Sequence, residues 1–76
     1  MPNMDRPIIG VIGVGKVGET LARLCYQHGY SIGAIYNRSL GKASNLAQSL
    51  ASIATHDAFD VVKYCDLIIV SMSDDA

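Results

Sequence analysis

The chain has 76 residues, about half the length of a typical single domain, so one small unit fits and two domains are excluded. Half of the residues are hydrophobic, and 6 lysines and arginines nearly balance 7 acidic residues, giving a formal net charge of -1. This composition argues against a disordered segment, and against a nucleic-acid-binding protein that relies on a basic surface.

The cysteines and the apolar segments bear on where the protein works. Cys25 and Cys65 are far apart and have no CxxC or His/Cys spacing around them, so two thiols in a reducing cytosol are favoured over a disulfide or a metal pair. Residues Met1 to Arg6 do not resemble an export signal. The longest glycine-free apolar run, Leu67 to Val70, is far shorter than the ~18 residues that a membrane span needs. We therefore predict a cytoplasmic protein with no membrane segment and no metal site.

The first two predicted elements are a strand and a helix separated by glycines. Pro7 to Ile12 form an apolar run without alternation, which is typical of a strand buried on both faces of a parallel sheet. From Lys16 to Gly29 the apolar spacing becomes helical, and Gly29 ends the helix where a left-handed backbone is needed. The residues predicted to form the buried face of this helix are Val17, Leu21, Leu24, Cys25 and His28.

A second strand and a second helix follow. Alternation across Tyr30 to Tyr36 predicts a strand in which Ile32 and Ala34 share one face. Ser39 is a candidate N-cap of the next helix, because its hydroxyl can accept a hydrogen bond from the first turn. The predicted buried stripe of this small-residue helix is Ala43, Leu46, Ala47 and Leu50.

The last predicted elements are a short strand, a helix and a fourth strand. Ser52 to Thr55 form the short strand, and Asp57 is a candidate N-cap, with Asp60 adding favourable negative charge to the first helical turn. Leu67 to Val70 again have the composition of a buried strand. The predicted buried residues of the third helix are Ala58, Val61, Val62 and Cys65.

The order of these elements, β-α-β-α-β-α-β, predicts an α/β fold with right-handed crossovers and a mostly parallel sheet. A doubly wound arrangement places the strands in the order 3-2-1-4, with the first strand at the centre, in agreement with its apolar composition. In that order the fourth strand has one open edge. Because an unpaired apolar edge is a template for association, we expect self-association through Leu67 to Val70.

The link between the first strand and the first helix, Gly13-Val14-Gly15-Lys16-Val17-Gly18, has the pattern GxGxxG, and all six residues are predicted to contact a dinucleotide. The pattern follows a predicted strand and opens a predicted helix inside a βαβ unit, which is the context in which it binds such cofactors. Gly13 would allow the tight turn, Gly15 would let a pyrophosphate approach the backbone, and Gly18 would let the helix press against the sheet. The anion would lie on unpaired N–H groups of the first helical turn. The alternatives are a packing turn without a ligand and, for Lys16, a solvated side chain.

The end of the second strand decides which dinucleotide is preferred. Asn37, Arg38 and Ser39 stand where NAD sites carry an acidic residue for the ribose hydroxyls. A carboxylate would repel a 2′-phosphate, whereas a guanidinium can bind it bidentately and stack on the adenine. We therefore predict NADP(H), with NAD(H) less favoured. In this hypothesis Asn37 and Ser39 donate hydrogen bonds and Arg38 pairs with the phosphate, while Lys42 adds positive charge. The alternative is an ordinary turn with a solvated arginine.

Three segments, Ile9 to Gly18, Asn37-Arg38-Ser39 and Asp66 to Val70, together resemble the N-terminal domain of NADP-dependent oxidoreductases. That group includes 6-phosphogluconate and 3-hydroxyisobutyrate dehydrogenases, pyrroline-5-carboxylate reductase and the deazaflavin-dependent NADP reductases. The resemblance is strongest to bacterial proteins that join a Rossmann-like domain to a helical C-terminal domain of unknown function. It implies a three-layer Rossmann-like fold in which residues 1–76 are a partial NAD(P)-binding domain, a fragment without the remainder of that domain and the substrate domain.

The resemblance also implies a function, namely hydride transfer between NADP(H) and a small carbonyl or imine substrate in the intact protein. The first βαβ unit would contact the adenosine and the pyrophosphate, and Ser71 and Met72 at the tip of the fourth strand would approach the nicotinamide ribose. We assign no catalytic residue, because no nucleophile–base pair is recognisable, and we expect no catalysis by the fragment alone. The alternatives are a dinucleotide-sensing regulatory domain without catalysis and a remnant that binds nothing. Neither nucleic acid nor membrane is an expected partner.

Overall fold

The computed structural model describes residues 6–71, in which strands and helices alternate along the chain. All strand pairs are parallel, and the strands lie in the order β3-β2-β1-β4. The predicted α/β class and strand order are therefore confirmed. The strands are β1 (Ile9–Ile12), β2 (Ile32–Tyr36), β3 (Ala54–Thr55) and β4 (Leu67–Val70), and the helices are α1 (Lys16–Gln27), α2 (Leu40–Ser49) and α3 (Ala58–Tyr64).

The central strand β1 is covered on both faces. Ile9 and Val11 are buried in the larger cluster of core residues, to which α1 and α2 contribute. On the opposite face α3 lies very close to the strand, since a Cβ built on Gly10 would be 2.5 Å from Val61 Cγ1 and 2.8 Å from Cys65 Sγ. Helices thus lie on both faces of one sheet, which gives the predicted three layers.

Helix α1 faces the sheet with its small residues rather than with the apolar stripe predicted for it. Gly18 and Ala22 are its buried residues. Because these residues have no side chain or a single methyl group, they let the helix lie close to the strands, and the larger apolar side chains point outward. The predicted buried face was therefore wrong for most of its members. Val17, Leu21 and Leu24 are 67%, 43% and 45% exposed, His28 is exposed, and Cys25 alone is half-buried against the core.

The C-terminal end of α1 is closed as predicted by a left-handed glycine. Gly29 has φ +92° and follows the C-cap residue His28. Arg6 Nη1 donates to the His28 carbonyl at 2.6 Å, and the same guanidinium lies 5.1 Å from the centroid of the Tyr30 ring. This positive charge complements the negative end of the helix dipole.

A bulge interrupts the alternation of β2. The register with β1 passes from Ile9↔Ile32 to Gly10↔Ala34, so that Gly33 is skipped. Ile32 consequently packs in the cluster under α1 and α2, whereas Ala34 packs on the face covered by α3. The prediction that these two residues share one face was wrong, because one extra residue in a strand shifts the alternation that follows it.

The predicted caps of α2 and α3 are confirmed. Ser39 Oγ accepts a hydrogen bond from Lys42 N at 3.5 Å, and Asp57 Oδ1 accepts one from Phe59 N at 2.9 Å. The α2 stripe is also confirmed, since its residues are at most 3% exposed: Ala43, Leu46, Ala47 and Leu50. The α3 stripe is confirmed in part, with Val61 and Cys65 buried, Ala58 half-buried and Val62 exposed.

Strand β4 lies at one edge of the sheet and pairs only with β1 among residues 6–71. Leu67 and Val70 are consequently 54% and 65% exposed. The start of the strand is fixed by Asp66, whose Oδ2 accepts from Ile8 N at 2.9 Å. The open edge expected from the strand order is therefore present, with apolar side chains along it.

Over the same residues, no helix is both long enough and apolar enough to cross a membrane. Cys25 and Cys65 are free thiols. The described part of the chain also holds no cluster of three His, Cys, Asp or Glu side chains placed to bind a metal.

Candidate functional site

The glycine-rich loop joins β1 to α1 at the carboxyl edge of the sheet. Gly13 has φ +90°, which confirms the tight turn predicted there. Its N–H donates to the Tyr36 carbonyl at 2.8 Å, so the turn is also tied to the end of β2. A Cβ on Gly13 would lie 1.7 Å from the Ser71 carbonyl oxygen. Both the backbone angle and the available space therefore require glycine at this position.

Ser71, immediately after β4, holds the first turn of α1 in place. Its Oγ accepts from Gly18 N at 3.2 Å, and its own N–H donates to the Ile12 carbonyl at 2.9 Å. A Cβ on Gly18 would be 2.6 Å from Ser71 Cβ and 2.9 Å from the Gly13 carbonyl oxygen, which confirms the close helix–sheet contact predicted for Gly18. Sequence reasoning missed this cap, because it joins residues 53 positions apart.

Gly15 differs from the other two glycines of the motif, since its own backbone does not require glycine. It is the N-cap of α1, with φ −87° and ψ 179°, an extended conformation that any residue can adopt. The Gly18 N–H is taken by Ser71. Within residues 6–71, the N–H groups of Gly15, Lys16 and Val17 have no protein acceptor. Such orphan donors at a helix start, together with the helix dipole, form a site for an anion.

Asn37 connects the glycine-rich loop to the turn between β2 and α2. Its Oδ1 accepts from Val14 N at 3.0 Å, and its Nδ2 donates to the Ser39 carbonyl at 3.2 Å. Asn37 and Val14 are both half-buried. Asn37 was predicted to lie at the cofactor, but these contacts were not predicted, because one of them joins loops 23 positions apart.

The predicted cationic residues are exposed around this loop. The side chains of Lys16, Arg38 and Lys42 form no hydrogen bond or ion pair within the described part of the chain, where the one ion pair joins Arg23 to Glu19 at 2.9 Å. All three cations are therefore free to meet an anionic ligand.

A cleft of about 920 Å³ passes along the start of α1. It brings together six of the predicted site residues, whereas Gly13, Gly18, Asn37, Arg38 and Ser39 do not line it and Met72 lies outside the described residues. The six are Val14, Gly15, Lys16, Val17, Lys42 and Ser71.

Two side chains away from the cleft, the Thr55 hydroxyl and the Cys65 thiol, have roles in the fold. Thr55 is 7% exposed, and its hydroxyl donates to the Asp60 carboxylate while accepting from Asp57 N at 3.2 Å, which closes the start of α3. Cys65 lies on the α3 side of the sheet, and burial raises the pKa of its thiol. Neither residue lines the cleft along the start of α1.

Comparison with known proteins agrees with these features. Residues 8–75 match the family described as NADP oxidoreductase, coenzyme F420-dependent. The chain is 34% identical over 67 residues to the uncharacterized oxidoreductase YfjR of Bacillus subtilis (strain 168), an alignment that covers 88% of this chain and 23% of YfjR.

Solved structures show the same fold. A Bacteroides fragilis protein assigned to the NADP oxidoreductases superposes with a TM-score of 0.78 and 36% identity, over 87% of this chain and 26% of that protein. The V8 variant of an imine reductase from Myxococcus stipitatus, in complex with NAD+, gives a TM-score of 0.76 and 29% identity, over 91% of this chain and 23% of the enzyme. An imine reductase from Pseudomonas sp. gives a TM-score of 0.76 and 32% identity, over 90% and 23% of the two chains.

The chain thus spans about a quarter of the length of the relatives that it matches. Within that span, the strand order, the glycine-rich turn and the helix that follows it are those of a Rossmann-like nucleotide-binding fold. Because the family match extends over nearly the whole sequence, the chain belongs to the family of coenzyme F420-dependent NADP oxidoreductases.

Proposed function

We propose that the chain binds NADP(H) as the N-terminal nucleotide-binding part of an oxidoreductase. The observation that carries the proposal is the set of three N–H groups at the start of α1, on Gly15, Lys16 and Val17, that have no acceptor among residues 6–71. Family membership supports a dinucleotide as the ligand. When bound, the nicotinamide cofactor supplies the hydride chemistry, while the protein binds and orients it.

The pyrophosphate would lie on this first turn of α1. The N–H groups and the helix dipole favour an anion there. Gly15 adds no Cβ to obstruct its approach, and Lys16, exposed at the first helical position, adds positive charge. Since the backbone of Gly15 is compatible with any residue, close approach of a ligand gives a reason for glycine at this position.

The 2′-phosphate of NADP(H) would be bound by Arg38, Ser39 and Lys42. Arg38 is exposed and has no partner among residues 6–71, so its guanidinium is available for a bidentate contact. Ser39 Oγ accepts from Lys42 N, which leaves the hydroxyl hydrogen free to donate to the phosphate. No carboxylate follows β2 to repel the phosphate or to bind the ribose hydroxyls of NAD(H).

Residues 1–76 in this proposal form part of a nucleotide-binding domain. The chain spans 23% to 26% of the relatives compared above, so the substrate-binding and catalytic groups would come from other parts of a longer protein. A small carbonyl or imine is the proposed hydride acceptor, and the two imine reductases among the structural relatives support it. Ser71, which follows β4, would then lie beside the nicotinamide ribose.

Self-association is the second proposed interaction. The outer edge of β4 presents backbone N–H and C=O groups with no strand beside them in the described structure. Leu67 and Val70 add exposed apolar side chains. A second copy of the chain could pair with this edge.

The cofactor preference is tested by calorimetric titration of the chain with NADP+ and NAD+. The two ligands differ only in the 2′-phosphate, and a charge-assisted contact of about 1.5–3 kcal/mol corresponds to NADP+ binding roughly 10- to 100-fold tighter. Arg38→Ala should remove most of this difference. Lys63→Ala, which removes one positive charge from α3 on the opposite face, should leave it unchanged. Equal affinities of the unaltered chain for NADP+ and NAD+ would contradict the proposed preference.

A further inference from the structure

We propose that Asn37 is a positioning residue that holds the pyrophosphate-binding loop in its ligand-ready shape. It would therefore strengthen the binding of NADP+ and NAD+ by the same factor, whereas Arg38 would act on the 2′-phosphate alone. This inference rests on the proposed dinucleotide binding and assigns to Asn37 a role other than selection of the phosphate.

The N–H groups of the loop fall into two sets, one bonded to the end of β2 and one without an acceptor in the described structure. Two successive donors of the loop are tied to two successive residues at the end of β2, Gly13 N to the Tyr36 carbonyl at 2.8 Å and Val14 N to Asn37 Oδ1 at 3.0 Å. The next three donors along the chain are free in the described structure. Asn37 therefore holds Val14, the residue immediately before the three N–H groups that would bind the anion.

The composition of the loop makes this side-chain contact important. Val14 lies between two glycines, which restrict the backbone less than any other residue. The bond from Gly13 N to the Tyr36 carbonyl holds the peptide group before Gly13 and cannot by itself orient the peptide group between Gly13 and Val14, whose N–H binds Asn37. Without the contact from Asn37, the loop would have to be ordered when the ligand binds, and this cost would lower the affinity for any dinucleotide.

The second bond of Asn37 fixes the direction of its carboxamide. Nδ2 donates to the Ser39 carbonyl at 3.2 Å, so Oδ1 is directed toward Val14. Ser39 is the N-cap of α2. One side chain therefore connects the loop that would hold the pyrophosphate with the turn that would hold the adenosine end of the same ligand.

The test compares Asn37→Ala, Asn37→Asp and Arg38→Ala in titrations with NADP+ and NAD+. Asn37→Ala should weaken both ligands by about five- to tenfold, the loss of one hydrogen bond, and leave the ratio of their Kd values unchanged. Arg38→Ala should change this ratio by about tenfold or more. Asn37→Asp keeps the acceptor for Val14 N–H, so NAD+ binding should be retained while the new carboxylate weakens NADP+ binding.

Hydrogen exchange of the Val14 amide, measured by NMR without any ligand, tests the contact itself. Exchange should be faster in Asn37→Ala than in the unaltered chain. In Asn37→Asp the increase should be smaller, because aspartate keeps the acceptor for Val14 N–H and loses only the donor to the Ser39 carbonyl, so this variant still tests the contact if the alanine variant does not fold. A loss of NADP+ binding alone in Asn37→Ala, or Val14 exchange unaffected by that change, would overturn the inference. If the unaltered chain bound neither dinucleotide, the proposed function would fail, and the exchange measurement would still decide whether Asn37 anchors the loop.

Discussion

Replacing Gly13 with alanine is expected to unfold the protein, whereas the same change at Gly15 should leave it folded. An alanine at φ +90° costs about 1–2 kcal/mol in backbone strain. Its Cβ would also lie 1.7 Å from the Ser71 carbonyl oxygen, which belongs to the backbone and must move. That movement breaks the bond from Ser71 N to Ile12 and the bond from Gly18 N to Ser71 Oγ, about 1 kcal/mol each.

These losses add to about 3–4 kcal/mol, which is comparable to the roughly 3–5 kcal/mol that a core of this size supplies. Urea denaturation followed by circular dichroism gives the free energy of unfolding of each variant. Gly15→Ala should change it by less than about 1 kcal/mol, since its φ of −87° suits alanine, but should weaken NADP+ binding.

The exposed Gly41 of α2, whose added Cβ would meet only Ser39 Oγ at 3.9 Å, is a second control. Gly41→Ala should stabilise the fold by up to about 1 kcal/mol. A Gly13→Ala variant as stable as the unaltered chain would show that the turn is not fixed by Ser71.

Four further predictions concern the rest of the fold. Ala51 has φ +52°, so Ala51→Gly should raise the free energy of unfolding by about 0.5–1 kcal/mol in the same urea titration, and a destabilised variant would contradict this. Alkylation by iodoacetamide at pH 8, followed by mass spectrometry, should modify the half-buried Cys25 before Cys65, whose pKa is raised by burial, and equal rates would contradict that assignment. Because the unfolded chain loses the Cys65 proton first, this thiol contributes stability below about pH 9.0 that declines as the pH rises toward its folded pKa, which the same urea titration repeated at rising pH would detect. Leu67→Lys should reduce self-association in sedimentation velocity by placing a charge on the open edge of β4, and unchanged association would locate the contact elsewhere.

The parts of the fold that local chemistry determines were predictable from the sequence. Ser39 and Asp57 cap their helices through residues two or three positions away, so the pattern of residue types was sufficient. The turn at Gly13 and the close contact at Gly18 follow from the spacing of the motif. The strand order followed from the alternation of elements and from the apolar composition of β1.

Features that depend on distant partners were not predictable. Periodicity favoured the large apolar residues of α1 as its buried face, but the fold places the small residues Gly18 and Ala22 against the sheet. The bulge at Gly33 depends on how β2 aligns with β1, which the sequence of β2 alone does not contain. The contacts of Asn37 with Val14 and of Ser71 with Gly18 join segments that only the completed sheet brings together.

The hydrogen bond between Gly18 and Ser71 affects the order in which the parts of the chain can fold. The glycine-rich loop is synthesised before β4, and the hydroxyl that completes its first helical turn follows 53 residues later. On the ribosome the loop therefore remains unfinished until β4 has emerged and paired with β1. A nucleotide that binds this loop would select chains whose sheet is already assembled, and its binding energy would add to the stability of all four strands.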